Sequence, residues 1–248
     1  MFKPRTEKIA KIAEKFPKHI QELEWLFDKK TAIYIDFANV IPRQDKLKRR
    51  IDIKRLKQFL DSFTNVDKII FYYGTLEWDS KSEELIEEVK NLYYKLVTKS
   101  VKIMRKSIDI SSIEKSNPSI LNSFIRKSLL KEMSIANIEY LNDILWWLND
   151  KGIFFIEDRK CNFDVEMWTD MLLDLRNGEI ENFVIRTGDS DFQVAVDEID
   201  KAWKKTYIFA IPGRVSFELN HSSAKIYNIK KIRNFVCRNK FIQAWILE

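Results

Sequence analysis

Apolar residues recur at helical spacing near the start of the chain. The positions that share this spacing are Ile9, Ile12, Phe16, Ile20, Leu23 and Phe27. The pattern predicts one or two amphipathic helices over residues 5–28, with a break at Pro17. The segment that follows, TAIYID at residues 31–36, is nearly all apolar. Such a run is typical of a strand that is buried on both faces of a parallel sheet.

Short apolar segments then alternate with amphipathic ones along most of the chain. Further strands or extended segments are predicted at residues 67–75, from 100, 152–160, 182–187, 206–213 and 224–229. Helices are predicted at about residues 52–62, 80–99, 164–178 and 191–203. Strands that alternate with helices indicate an α/β layered fold with a mostly parallel sheet.

The alternation breaks between residue 105 and about residue 150, where two helical patterns occur instead. We interpret this stretch as a helical insertion. The predicted organisation is an N-terminal helical extension (1–30), a main domain (31–234) and a C-terminal segment (235–248). That last segment is apolar and is expected to dock on the domain or on a second copy. The insertion and the C-terminal segment are therefore the candidate contacts of a homodimer.

Composition narrows the class of protein. Of 248 residues, 45% are hydrophobic and 32% charged, which indicates a globular chain. The two cysteines form no disulfide framework and no zinc spacing. The N-terminus lacks the apolar core of a signal peptide, and no stretch is apolar for the length of a bilayer span, so we expect a cytoplasmic protein without a membrane partner. The net charge of +6 suits nucleic acid, but many lysine-rich proteins are equally basic.

Three segments carry carboxylates at the predicted ends of strands or the start of a helix. Asp36 ends the first strand, and Asp164 begins a helix. Asp189 and Asp191 follow the strand predicted at 182–187. Ligands bind beyond the carboxyl ends of the strands in open α/β sheets. The sequence therefore predicts that these side chains meet at one edge of the sheet.

Carboxylates held close together repel one another, which raises their pKa unless a cation joins them. Oxygen ligands of this kind suit Mg²⁺ or Mn²⁺. Such an ion can activate a water and stabilise charge on a phosphate during in-line displacement. Each residue alone has an ordinary alternative, because an Asp after a strand often caps a helix and Gly-Asp-Ser-Asp is a common turn. The metal site is favoured because three such segments occur in an order that one sheet can bring together.

The same residues resemble the motifs of the NYN domain family, a branch of the PIN-like nucleases, and especially its LabA-like members. Residues 35–39, IDFAN, match the family's I-D-x-x-N. Residues 160–165, KCNFDV, resemble K-G-N-x-D-V, and Asp170 follows as the family's further Asp. Residues 187–192, TGDSDF, match S-G-D-S-D-F except for a conservative Thr.

The resemblance covers about residues 31–104 and 151–232. It implies a three-layer PIN/NYN-like α/β fold with a mostly parallel central sheet, to which the N-terminal helices and the helical insertion are additions. Two positions depart from the family pattern. Phe37 stands where a small residue is common, and Cys161 stands where the family has Gly. Both are tight-turn positions, so a different loop geometry is expected.

The implied activity is that of a metal-dependent nuclease, most simply an endoribonuclease that uses metal-activated water. The residues implied to bind Mg²⁺ or Mn²⁺, directly or through water, are Asp36, Asp164, Asp189 and Asp191. Asn39 would orient a ligand or a water. Asp170 either contacts a metal ligand or is an ordinary helix carboxylate. RNA is favoured over DNA as the partner; the alternatives are a DNA nuclease and a non-catalytic nuclease-fold protein that binds RNA or regulates.

Basic residues near this edge are candidate phosphate contacts. The run KLKRR at residues 46–50 lies in a loop after the first strand, and its Lys48, Arg49 and Arg50 are predicted to bind substrate. Lys160, close to Asp164 in sequence, is a further candidate. For each of them the ordinary alternative is a solvated surface charge.

Overall fold

The computed structural model describes residues 1–37, 49–76, 78–113 and 120–238, with the backbone alone at Arg159. The chain divides into two compact units. The larger unit comprises Met1–Ser100 and Cys161–Glu248, and the smaller unit comprises Val101–Lys160. The predicted residues Asn39 and Lys48, together with 239–248 of the expected docking segment, lie outside the described residues.

The elements follow one another in the predicted alternation. The strands are β1 (Thr31–Asp36), β2 (Val66–Thr75), β3 (Lys95–Ser100), β4 (Lys102–Ser107), β5 (Phe155–Lys160), β6 (Asn182–Ile185), β7 (Lys205–Ala210) and β8 (Lys225–Asn228). The helices are α1 (Glu7–Lys15), α2 (Pro17–Leu26), α3 (Ile53–Leu60), α4 (Ser80–Asn91), α5 (Lys127–Leu130), α6 (Ile135–Asp150), α7 (Asp164–Asn177), α8 (Gln193–Lys201), α9 (Phe217–Asn220) and α10 (Arg233–Val236).

The larger unit is built on a six-stranded sheet in the order β3-β2-β1-β6-β7-β8. Every neighbouring pair in it is parallel. All residues of β1 and β6 are buried, as expected for central strands covered on both faces. The carboxyl ends of all six strands therefore lie at one edge, which we call the carboxyl edge. The prediction of a mostly parallel α/β sheet is confirmed.

Helices cover both faces of this sheet and complete three layers. In β1, Ile33 and Ile35 belong to one apolar core together with Leu56 of α3. Tyr34 belongs to a second core together with Met167 of α7. Because successive side chains of a strand point to opposite faces, the two cores lie on opposite sides of the sheet. We call these sides the α3 face and the α7 face.

Two tyrosine–aspartate pairs join α7 to the sheet. The Tyr34 hydroxyl donates to Asp174 Oδ2 at 2.5 Å, and the Lys68 ammonium donates to the other oxygen of that carboxylate. The Tyr72 hydroxyl donates to Asp170 Oδ2 at 2.6 Å. Burial, followed by the hydrogen bond to a carboxylate, raises the pKa of both phenols well above the ordinary value. These bonds fix one side of α7 to β1 and β2.

One boundary differs from the sequence prediction. The helix predicted at 80–99 ends at Asn91, and Lys95–Ser100 forms the third strand of the main sheet. The reason is a left-handed turn at Tyr93 (φ 59°), where the Tyr93 and Tyr94 amides donate to the Lys90 and Val89 carbonyls. Tyr94 then enters the core, where its hydroxyl donates to the Ile53 carbonyl at 2.8 Å.

The smaller unit contains an antiparallel pair, β4 and β5, and the long helix α6. The strand predicted from residue 100 is therefore β4, which pairs with β5 and not with the main sheet. Asn149 of α6 holds a loop of this unit: its oxygen accepts from the Ile110 amide at 3.0 Å, and its Nδ2 donates to the Ile108 carbonyl at 2.9 Å. In the described part of the chain, no helix has the length and apolarity to cross a membrane.

Replacing Asp174 with alanine is expected to lower the free energy of unfolding by about 1–3 kcal/mol, because the buried Tyr34 hydroxyl and the Lys68 ammonium lose their shared acceptor. Urea denaturation measures the change. The control is Asp200→Ala, at an exposed position of α8, which should change the value by less than about 0.5 kcal/mol.

Adding Tyr34→Phe to Asp174→Ala should restore part of the loss, since the double variant no longer buries a hydroxyl without an acceptor. If the double variant instead lost as much stability as the two single variants together, the hydrogen bond between Tyr34 and Asp174 would be contradicted.

Candidate metal centre

Three carboxylates from two distant parts of the chain converge at the carboxyl edge. Asp164, Asp189 and Asp191 each place an oxygen so that all three oxygens lie within 4.8 Å of one another. Asp164 is the first residue of α7, and the other two follow β6. The structure therefore brings together three of the four aspartates predicted to meet here. Asp164 is half-buried and Asp191 is exposed, so solvent reaches the cluster.

Local hydrogen bonds hold the main chain at each of the three aspartates. The Asn162 side-chain oxygen accepts from the Asp164 amide at 2.9 Å and fixes the start of α7. The Thr187 hydroxyl accepts from the Asp189 amide at 3.3 Å. Asp189 Oδ1 in turn accepts from the Asp191 amide at 3.5 Å, as the cap of a 3₁₀ turn at Ser190–Phe192. Capping thus occupies only one oxygen of Asp189, at a long distance.

Gly188 holds this loop against a neighbouring one. A Cβ at this position would lie 2.4 Å from the Arg214 carbonyl oxygen, so no other residue fits without a backbone shift. The Gly188 carbonyl accepts from the Ser216 amide at 2.9 Å. The requirement for glycine therefore comes from close backbone approach, directly before the two aspartates of the loop.

The electrostatics of the cluster favour a bound cation. Burial raises the pKa of Asp164, and the charges of Asp189 and Asp191 add to the rise against the Asn162 hydrogen bond and the Lys99 charge. Asp164 Oδ1 is buried and has no hydrogen-bond partner among the described residues. Two oxygens on opposite sides of Mg²⁺ are about 4.2 Å apart, since each Mg–O distance is about 2.1 Å. The three carboxylate oxygens lie within 4.8 Å of one another, so they would need to move slightly closer together to bind one such ion.

Asp36 lies beside the cluster but is not a member of the group of three. It is the last residue of β1, is 2% exposed, and aligns with Tyr72 of β2. Strand alternation places its side chain on the α7 face with Tyr34. Its carboxylate is close enough to Cys161 for its charge to raise the pKa of that thiol, in addition to the larger effect of burial and against the Lys99 charge.

The two departures from the family pattern have structural explanations. Phe37 is buried in the core of the α3 face, where its ring centroid lies 4.7 Å from that of Phe71. A large side chain at this position is therefore part of the packing. Cys161 is half-buried and, unlike Trp78, Tyr93 and Trp203, does not have a positive φ. The backbone at position 161 thus does not need glycine in this chain.

Sequence reasoning missed the ion pair between Lys99 and Glu166, which lies next to the cluster. The Lys99 ammonium donates to Glu166 Oε1 at 2.6 Å and sits 4.8 Å above the Phe163 ring. Burial opposes the change, but the hydrogen bond and charge of Lys99 outweigh it and lower the pKa of Glu166. Lys99 was hidden because the strand that carries it was predicted as helix.

The remaining predicted residues are placed as follows. Asp170 accepts from Tyr72 and lies 3.9 Å from the Lys95 ammonium, which makes it a contact between α7 and the sheet. Arg49 is half-buried and donates to Asn234 Oδ1 at 3.1 Å. Arg50 is exposed, and Lys160 is an exposed residue of the smaller unit. The functional roles of all of these residues stay predictions.

Comparisons with known proteins give the family and a similar fold. A family model described as the NYN domain matches residues 30–230. Comparison with curated proteins gave no match. The fold is similar to the crystal structure of a protein of unknown function from Vibrio parahaemolyticus, with a TM-score of 0.51 and 14% identity over 84% of this chain and 96% of that chain. At that identity the likeness concerns the fold alone.

Gly188→Ala is expected to weaken Mn²⁺ binding about 10-fold or more, because the backbone shift that relieves the contact with Arg214 also moves Asp189. Manganese titration by electron paramagnetic resonance measures the affinity. The matched control is Gly178→Ala at the end of α7, where φ is +74° and nothing lies within 4 Å.

Both variants should lose stability, the first by overpacking and the second by about 1–2 kcal/mol of left-handed backbone strain. Only Gly188→Ala should lose metal affinity. Full Mn²⁺ affinity in Gly188→Ala would show that this loop does not position a ligand.

Proposed function

Because the chain belongs to the NYN domain family, we propose that it is a nuclease that hydrolyses phosphodiester bonds of RNA with the help of a divalent metal ion. The family implies a PIN-like nuclease function and hence a nucleic acid substrate. Metal dependence, the choice of RNA, endonucleolytic cleavage and action in the cytoplasm are the proposed details.

One observation carries the proposal: the oxygens of Asp164, Asp189 and Asp191 lie within 4.8 Å of one another at the carboxyl edge. Three negative charges so close are unfavourable unless a cation or protons neutralise them. The donors are carboxylate oxygens alone, which suits Mg²⁺ or Mn²⁺ better than the softer metals that prefer Cys or His.

The residues proposed to hold the ion are Asp164, Asp189 and Asp191, with Asp36 beside them. A divalent ion bound there would lower the pKa of a water and neutralise charge that develops on the phosphate. The Asn162 contact holds the main chain of Asp164, and the buried Asp164 Oδ1 has no hydrogen-bond partner among the described residues. Asn39 is proposed to orient a ligand or a water.

Lys99 adds a positive charge beside the carboxylates and is partly neutralised by Glu166. We propose that this pair limits the local negative charge, so that a phosphate can approach the cluster. Lys48, Arg50 and Lys160 remain candidates for phosphate contacts along the substrate. A homodimer formed through the insertion or the C-terminal segment is also part of the proposal.

Asp189→Asn is expected to lower Mn²⁺-dependent cleavage of a labelled single-stranded RNA by about 100-fold or more while RNA binding is retained, because the amide removes one charge from the ligand set without changing its size. Gel analysis of the products measures cleavage, and EDTA should abolish it in the wild-type protein. Asp200→Asn, on the exposed side of α8, is the control and should cleave normally.

The same assay with single-stranded and flap DNA separates the alternatives. A wild-type protein that binds RNA tightly but cleaves neither polymer with Mg²⁺ or Mn²⁺ would favour a non-catalytic module. Cleavage of DNA but not of RNA would show that the substrate is DNA.

A further inference from the structure

Three arginine side chains lie at the carboxyl edge, and none of them pairs with a carboxylate of the residues that the structure describes. Arg49 donates to Asn234 Oδ1 at 3.1 Å, and Arg55 donates to the main-chain carbonyls of Asn234 (2.7 Å) and Cys237. Arg233 is next to Asn234, at the start of α10. Burial raises the pKa of the Cys237 thiol, and the charges of Arg49, Arg55 and Arg233 oppose this rise while the Asp52 charge adds to it. We call Arg49, Arg55 and Arg233 the arginine cluster.

Among the described residues, the guanidinium groups of the arginine cluster donate only to neutral acceptors. The nearby Asp52 carboxylate accepts from the Arg55 main-chain amide at 3.0 Å. Among the described residues, none of its three members forms an ion pair with a carboxylate, whereas the adjacent Arg238 pairs with Asp52 at 3.3 Å. The Nε atoms of Arg49 and Arg233 are buried and have no hydrogen-bond partner in the described part of the chain. Partly desolvated guanidinium groups without an anion are unfavourable. An anionic ligand would offset this, and guanidinium groups suit phosphate oxygens best.

The position of the arginine cluster matches a path for substrate. Arg49 and Arg55 flank the start of α3, and Arg233 begins α10, which follows the carboxyl end of β8. Leu56 of α3 and Ile232 beside α10 pack in the core of the α3 face, together with Ile33 and Ile35 of β1. The arginine cluster therefore lies at the carboxyl edge on the α3 face, and the carboxylate cluster lies at the same edge on the α7 face.

We propose that the arginine cluster binds the phosphate backbone of a nucleic acid strand that crosses the carboxyl edge to reach the carboxylates. The inference rests on the proposed nuclease function and adds to it a second contact, on the other face of the sheet from the carboxylates. Arg49 and Arg233 supply the contacts, because both residues are half-exposed and neither pairs with a carboxylate of the described residues. Arg55 is a positioning residue that holds the end of α10 against α3.

The test measures binding apart from cleavage. In the Asp189→Asn background with EDTA present, Arg233→Gln should weaken binding of a fluorescent 20-nucleotide RNA about 10-fold. The slope of log affinity against log salt should become less steep by about 0.7, the value for one lost phosphate contact on a single strand. Arg49→Gln should behave in the same way.

Lys231→Gln is the matched control. It removes the same charge two residues away, but Lys231 is already paired with Glu22 at 2.6 Å, so RNA affinity should change less than about 2-fold. Thermal denaturation and Mn²⁺ affinity of all variants should equal those of the background protein. Binding that is unchanged in both Arg233→Gln and Arg49→Gln would overturn the site.

Free inorganic phosphate offers the arginines the same kind of oxygen atoms as an RNA phosphate does. If millimolar phosphate binds in an Arg233-dependent manner while RNA affinity is independent of Arg233, the site is one for a small anion and the proposal is overturned. This outcome is separate from the nuclease function. If the protein never cleaves RNA but Arg233→Gln lowers its RNA affinity, the arginine site is supported. If the protein cleaves RNA but the arginine variants bind RNA with unaltered affinity, the arginine site is overturned.

Discussion

The repulsion among the three carboxylates is the main physical constraint on the structure of the carboxyl edge. Asp164, Asp189 and Asp191 would separate if their backbones were free to move, because each pair of like charges is unfavourable at this range. The parallel pairing of β1 with β6 fixes the strand that leads into the loop. The Gly188–Ser216 hydrogen bond then holds that loop from outside. The fold thus supplies the rigidity that holds the three carboxylates together.

The position of Asp164, on the other side of the carboxylate cluster, depends on α7. Asp164 sits at its first turn, and the helix is held to the sheet by Tyr72 and Tyr34 through two carboxylates further along. These bonds are buried or partly buried and charge-assisted, so they resist displacement of the helix along the sheet. Asp170 therefore helps to hold the helix that carries Asp164, nearly two helical turns away.

Much of this could be predicted from the sequence, because the signals are local. Buried parallel strands such as TAIYID are nearly all apolar, and the aspartates follow them directly. The end of α4 was missed because Tyr93 adopts a left-handed conformation that is usual for glycine. That error hid Lys99. Arg49 was predicted as a phosphate contact, but its grouping with Arg55 and Arg233 could not be foreseen, since Arg55 and Asn234 are 179 positions apart. Only the tertiary contacts reveal that these arginines pair with no carboxylate of the described residues.

The arginine cluster and the carboxylate cluster lie on different faces of the sheet, and their opposite charges give a physical reason for this separation. Guanidinium groups next to Asp164 or Asp189 would pair with them and compete with a metal ion for the same oxygens. With the arginines on the α3 face and the carboxylates on the α7 face, the sheet edge separates the two charges and neither neutralises the other. In the proposed complex, a nucleic acid strand would bring one phosphate to a cation held by the carboxylates and further phosphates to the arginines. The separation of the two clusters would then allow one polyanion to contact both the cation and the arginines.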